Sequence, residues 1–259
     1  MRTNRVLAKL RQNKLALVTT VTPYASAKLT EMIGMLDFDC VWIDMEHQDY
    51  SYDHLFDMAL GCRAGGVEPM ARIRKGDYWT YSRPFEAGAT GIMVPHCCSA
   101  AEAEQIVRYS RFAPMGMRGI DGVEVSADYG MAPTLEYMAH ANRETFVCVQ
   151  IEDREAVENV DEIAAVPGVD ILFVGPADLS QSYGIPLQTR DPLIQTAIDR
   201  VAAAAAKHGK HWGIPVGSAA VAERYYEQGA RFLACGAAII MLQQGWRQIR
   251  QDFDALLQR

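Results

Sequence analysis

The sequence predicts an α/β fold, a single (β/α)8 TIM barrel over residues 1–259. Three observations predict it. Short runs recur that are apolar throughout and do not alternate, as in strands buried on both faces of a parallel sheet. Amphipathic stretches with Gly-containing links separate them, the pattern of repeated βαβ units. The length of 259 residues also suits one closed barrel, typically ~250 residues. An open doubly wound sheet would hold the same strands, but no G-x-G-x-x-G follows the first one, which weakens a dinucleotide-binding reading.

In chain order, residues 15–21 (LALVTTV) and 38–43 (FDCVWI) read as the first two strands. The second runs abruptly into Asp44, Glu46 and His47. After the amphipathic stretch 51–64, residues 67–73 (VEPMARI) form a third strand ending in Arg72, and 90–94 (TGIMV) a fourth. Residues 99–110 are again amphipathic. Residues 111–145 then break the rhythm with a long Gly- and Pro-rich loop, and such loops are usually functional or mobile. Strand five, 146–151 (FVCVQI), leads into Glu152, and strand six, 169–174 (VDILFV), into GPADLS at 175–180. Helical stretches at 154–165, 190–208 and 219–228 alternate with strands at 213–217 and 231–236. Residues 238–258 read as a terminal helix with an apolar stripe through Ile249, Phe253 and Leu257.

Composition narrows the function. A net charge of −7 argues against nucleic acid as a partner, which needs clustered Lys and Arg. No apolar run approaches the ~20 residues of a membrane span, and the basic N-terminus lacks the apolar core of a signal peptide. A cytoplasmic protein is expected. The six cysteines form no C-x-x-C pair; Cys40, Cys148 and Cys235 sit inside strands and read as packing residues, as do the adjacent Cys97 and Cys98.

In a βα barrel the chemistry sits on the loops after the strands, so Asp44, Glu46, His47, Arg72, Gln150, Glu152 and Asp178 should converge on one mouth. Glu152 and Asp178 come from consecutive strands. Two adjacent carboxylates force one to protonate unless a cation holds both, and an all-oxygen set suits Mg²⁺ or Mn²⁺. The bland alternative makes Asp178 a helix cap and Glu152 a solvated acid. His47 is either a hydrogen-bonded structural residue or a general base with Asp44 fixing its tautomer. Arg72 pairs with an internal carboxylate or with an anionic substrate. None of the six lysines terminates an apolar strand, and Lys75 is the nearest, so Schiff-base chemistry is not expected.

Together IDMEH at 43–47, MARIR at 70–74, VPHCCSAAEAEQIVRYSRFAPMGMRG at 94–119, VQIEDREAVENVDEIAAVPGVD at 149–170 and FVGPADLS at 173–180 resemble the HpcH/HpaI family. These are metal-dependent (class II) pyruvate aldolases among the phosphoenolpyruvate/pyruvate-type barrels. The resemblance implies a divalent ion, Mg²⁺ or Mn²⁺ with Co²⁺ or Zn²⁺ as alternatives, on Glu152 and Asp178. It implies that Gln150 and the backbone at Ala177 contact pyruvate and that His47, oriented by Asp44, is the base. Arg72 would stabilise the enolate, and Glu86, where the family carries Asp, would support the histidine. The implied reaction cleaves or forms 4-hydroxy-2-oxo acids from pyruvate and an aldehyde. A homo-hexamer, a trimer of dimers with the C-terminal helix packed on a neighbouring subunit, is also implied. The chain departs from the family in Leu17, near a usual tryptophan, and in the acidic loop 121–130, from which we expect an altered aldehyde site that disfavours anionic aldehydes. The rival readings are a related barrel lyase acting on an acyl-CoA or 3-hydroxy diacid, and a non-catalytic binding protein of the same fold.

Overall fold

Eight strands close into a parallel barrel in chain order: β1 (Ala16–Thr20), β2 (Cys40–Asp44), β3 (Glu68–Arg72), β4 (Gly91–Val94), β5 (Phe146–Ile151), β6 (Ile171–Val174), β7 (His211–Val216) and β8 (Phe232–Ala237). The computed structural model describes residues 1–258. All eight predicted strands are present, with no end displaced by more than two residues.

The side chains that point inward fill the lumen. Val18, Cys40, Met70, Met93, Cys148 and Phe173 belong to one buried cluster, and Trp42 packs against it. Phe173 meets Trp42 and Phe232 edge-on at 5.5 and 6.1 Å between ring centroids, the geometry favoured by aromatic quadrupoles. Phe146 meets Phe232 edge-on in turn, and a missing side chain makes room for it: a Cβ on Gly91 would lie 2.1 Å from the Phe146 ring.

Helix α1 (Arg5–Leu10) plugs the base of the barrel with Val6, Leu7 and Leu10. Asn4 caps it by accepting from the Leu7 N–H, and buried Asp39 anchors it by accepting from Arg5 Nε and Lys9 Nζ, both at 2.7 Å. Around the outside run α2 (Ala27–Met35), α3 (Tyr52–Gly65), α4 (Tyr78–Glu86), α5 (Ala100–Ser110), α6 (Thr134–Glu144), α7 (Arg154–Glu158), α8 (Val160–Ala165), α9 (Pro176–Ser182), α10 (Pro192–Lys207) and α11 (Ala219–Glu227). Their apolar faces and the outward strand residues form the larger core, including Ile43, Leu55, Val149, Ile163 and Val201.

Two elements differ from the sequence reading. The interval 111–145 is not loop throughout: α6 occupies its last third, and a short 3₁₀ turn spans Val125–Gly130. Loop 121–130 packs at the base of the barrel, where Asp128 pairs with Arg63 and the N-terminal ammonium. It therefore does not border the mouth of its own chain, and the expected influence on aldehyde choice is not exerted there. Leu17 likewise faces outward, into a groove between α2 and α11. The terminal segment forms α12 (Ala238–Asp252) and α13 (Asp254–Leu257), which bury no residue, and Ile249, Phe253 and Leu257 are 53–62% exposed. Among the described residues no helix is long and apolar enough to cross a membrane.

Candidate active site

The strand register decides which polar side chains meet. Asp44 lies opposite Arg72 in the β2–β3 ladder. The Arg72 guanidinium donates to both Asp44 oxygens, Nε to Oδ1 at 3.0 Å and Nη2 to Oδ2 at 2.6 Å, and its Nε lies 3.3 Å from Glu46 Oε2. Its face covers the Trp42 ring at 4.7 Å, so the cation is fixed by two carboxylates and an aromatic plane. Asp44 Oδ1 also accepts from the backbone N–H groups of Glu46 and His47.

That arrangement changes the part expected of Asp44. Its carboxylate organises the loop of His47 through the backbone, and its side-chain partner is Arg72, because register places the two face to face. The acid nearest the imidazole is Glu46, 3.7 Å from His47 Nε2. The His47 side chain is 61% exposed and stands at the rim. Glu86 is also differently placed. It ends α4 towards the base of the barrel, where Arg83 donates to it at 2.8 Å, and among the described residues no contact joins it to His47.

Across the mouth, β5 delivers Gln150 and Glu152. Glu152 is 2% exposed, so it is not a solvated loop acid. Its Oε1 accepts from the His96 backbone N–H at 3.1 Å and its Oε2 from Gln150 Nε2 at 2.8 Å. Room for the carboxylate comes from Gly175 at the tip of β6, where a Cβ would sit 2.1 Å from Glu152 Oε2. Burial pushes the Glu152 carboxyl up to about 7; His96 opposes the rise, and the nearby carboxylates of Asp178 and Glu46 add to it. Asp178 lies exposed in the first turn of α9, whose N-cap is Gly175, and among the described residues it makes no capping hydrogen bond. Ala177 beside it is exposed as well.

This set fits a hard divalent cation. Glu152 is buried and feels the negative charges of Asp178 and Glu46, its nearest cationic group being the His96 imidazole with Nδ1 3.8 Å from Oε1 and itself bonded to Asp153, and Gln150 Oε1 is buried without a donor. Both are oxygen acceptors short of positive charge. Among the described residues no cluster of three or more ligating His, Cys, Asp or Glu side chains is assembled, so further positions would fall to water and substrate.

His96 and Asp153 were not anticipated. His96 Nδ1 lies 2.8 Å from Asp153 Oδ2, and the residue adopts φ 53°, uncommon away from glycine. The signal was its place directly after β4, as Pro95-His96. Lys75 is committed elsewhere, donating to His96 O and Glu102 Oε1, both at 2.8 Å. Cys40, Cys97 and Cys148 are buried, and all six thiols are free.

Residues 20–243 match the family model described as HpcH/HpaI aldolase/citrate lyase. A 5-keto-4-deoxy-D-glucarate aldolase of Klebsiella pneumoniae is 32% identical over 86% of this chain and 87% of its own length. Among solved structures, an HpcH/HpaI aldolase of Desulfitobacterium hafniense superposes with a TM-score of 0.90 at 28% identity, covering 96% of each chain. A family member of Burkholderia cenocepacia gives 0.89 at 33% identity, covering 96% of this chain and 99% of its own. The citrate synthase SbnG gives 0.84 at 27% identity, with 95% and 98% covered.

Proposed function

Because the chain belongs to the HpcH/HpaI aldolase/citrate lyase family and is an enzyme of aldolase type, we propose that it cleaves or forms 4-hydroxy-2-oxo acids at the C3–C4 bond. Pyruvate and an aldehyde are the two halves. The observation that carries this reading is Glu152, a buried carboxylate raised to about 7 beside Asp178 and Glu46, in a recess cleared by Gly175.

Glu152 and Asp178 would hold the divalent ion, Mg²⁺ or Mn²⁺ by the hardness of the donors. When bound, such an ion acts as a Lewis acid that polarises the carbonyl of a 2-oxo acid.

The chain's own groups divide the remaining work. Arg72 supplies a fixed positive charge where the enolate oxygen develops. Its clamp by Asp44, Glu46 and Trp42 means that little reorganisation is needed as charge builds, the condition under which electrostatic stabilisation contributes most. Gln150 and the Ala177 backbone contact the pyruvate moiety. His47, at the rim with Glu46 beside it, takes the 4-hydroxyl proton in cleavage and returns it in condensation. Glu46 thus serves both the cation and the imidazole and is not a metal ligand.

The glucarate aldolase relative is named for a sugar-acid substrate, which makes polyhydroxylated 2-oxo acids the first substrates to assay. Pyruvate release from a panel of 4-hydroxy-2-oxo acids, with neutral and carboxylated aldehyde halves, tests the reading. Release from at least one member is expected, and none across the panel with added Mg²⁺ or Mn²⁺ would refute it.

A further inference from the structure

At the base of the barrel, opposite the mouth, lies a second pocket of about 100 Å³ that the proposed chemistry does not use. It is bordered by the start of the chain, the C-terminal end of α3, loop 118–128 and α6. That volume holds a few waters or one small ion.

Arg118 lines it and is 4% exposed. Its guanidinium is enclosed by rings, with Cζ 4.5 Å from the centroid of Phe112, 5.1 Å from Phe85 and 6.0 Å from Tyr137. Among the described residues it makes one hydrogen bond, Nη2 to the Tyr137 hydroxyl at 2.9 Å, and its Nε is buried with no acceptor. Among the described residues it has no carboxylate partner. Glu86, whose charge acts on it, is bonded to Arg83. A buried guanidinium so short of negative partners is costly; aromatic faces repay part of that cost but leave its in-plane N–H donors unmet.

The rest of the lining supports an anion. The Tyr137 hydroxyl accepts from Arg118 and lies 2.9 Å from Ser126 Oγ. Either oxygen of this pair can donate; with the Tyr137 O–H donating to Ser126 Oγ, the serine hydroxyl is free to donate to a ligand. Arg2 and Arg63 stand at the edge. The three lining carboxylates are already engaged: Glu68 by the Arg5 N–H and Thr90, Asp128 by Arg63 and the N-terminus, Glu144 by Arg11 and the Asn4 N–H.

We propose that this basal pocket binds a small oxyanion, either phosphate or a short carboxylate, on the Arg118 guanidinium and the Ser126 hydroxyl. The planar donor fork of arginine matches both chemistries. An ion seated there ties loop 118–128 to α3 and α6 at the end of the barrel remote from the mouth. The assignment stands whether or not the mouth performs the proposed reaction.

Calorimetric titration of the whole protein with inorganic phosphate, and separately with malonate, at constant ionic strength tests it. Saturable binding of at least one is expected, weakened about tenfold or more in Arg118→Met. Ser126→Leu, which fills the pocket but keeps the cation, should weaken it similarly. Arg72→Gln, which alters only the mouth, should leave it intact. Binding of phosphate alone supports a tetrahedral oxyanion site, and of malonate alone a carboxylate site. If Arg118→Met does not fold, Ser126→Leu decides. The proposal is overturned if neither ion saturates, if Ser126→Leu binds as the wild type does, or if binding survives Arg118→Met and is lost in Arg72→Gln.

Discussion

Gly175 is the residue on which the candidate metal position most depends, because any side chain there collides with the Glu152 carboxylate. Gly175→Ala should leave the barrel folded and weaken Mn²⁺ binding by about 10–100-fold, as displacing a ligand's surroundings commonly does; titration calorimetry measures it. A second residue-scale expectation concerns His211. Burial holds its pKa below the ordinary imidazole value, so the unfolded chain takes up this proton near pH ~6.5 while the folded chain resists it. The neutral-form advantage is full above that pH and declines as pH falls through it. Wild type should therefore lose stability relative to His211→Gln between pH 7.5 and 5.5, read from urea midpoints, by roughly the group's linkage; a difference that does not change with pH would contradict this. Much of the mouth was legible at this scale, since acids placed directly after apolar strands need a reason to be there. The Asp44–Arg72 pair was not, because it depends on register between β2 and β3. Nor was His96, whose carboxylate partner lies 57 positions away in the chain.

Among the elements, the strands were legible because burial on both faces leaves an unbroken apolar run, and α6 was not. Its sequence follows a stretch rich in Gly and Pro, and Pro133 stands at its N-cap with no side-chain cap to announce a helix. What holds this region is tertiary. Arg111, 2% exposed, donates to the Asn142 and Thr145 carbonyls and, at 2.6 Å, to Asp170, joining the end of α5 to α6 and the start of β6. Arg111→Met leaves the half-buried Asp170 without its cation and should cost about 2–3 kcal/mol of stability, between a surface pair and a fully buried one, measured by denaturant titration. A cost below about 1 kcal/mol, the level of a surface pair, would show that the pair is not structurally important.

The whole molecule leaves one face unfinished. An apolar groove between α2 and α11, lined by Leu17, Leu29, Met32, Phe38, Leu233 and Met241, stands open, while α12 and α13 present Trp246, Ile249, Phe253 and Leu257 to solvent. Exposed apolar surface of this kind is typical of interaction sites, and we propose that a neighbouring subunit of the hexamer implied by the family resemblance covers it. Trp246→Asp with Phe253→Asp should lower the oligomeric state in sedimentation velocity, and an unchanged state would remove these helices from the interface. Enolate stabilisation at the mouth, where Glu152 would hold the divalent ion, can be measured without knowing the aldehyde. Pyruvate is incubated with the protein in D₂O, and deuterium entering C3 is read by mass spectrometry. Exchange is expected with Mg²⁺ or Mn²⁺, suppressed by EDTA and in Glu152→Gln, and slowed about 100-fold or more in Arg72→Ala. Exchange no faster than the enzyme-free rate with either metal would contradict it, as would exchange indifferent to EDTA and to Glu152→Gln.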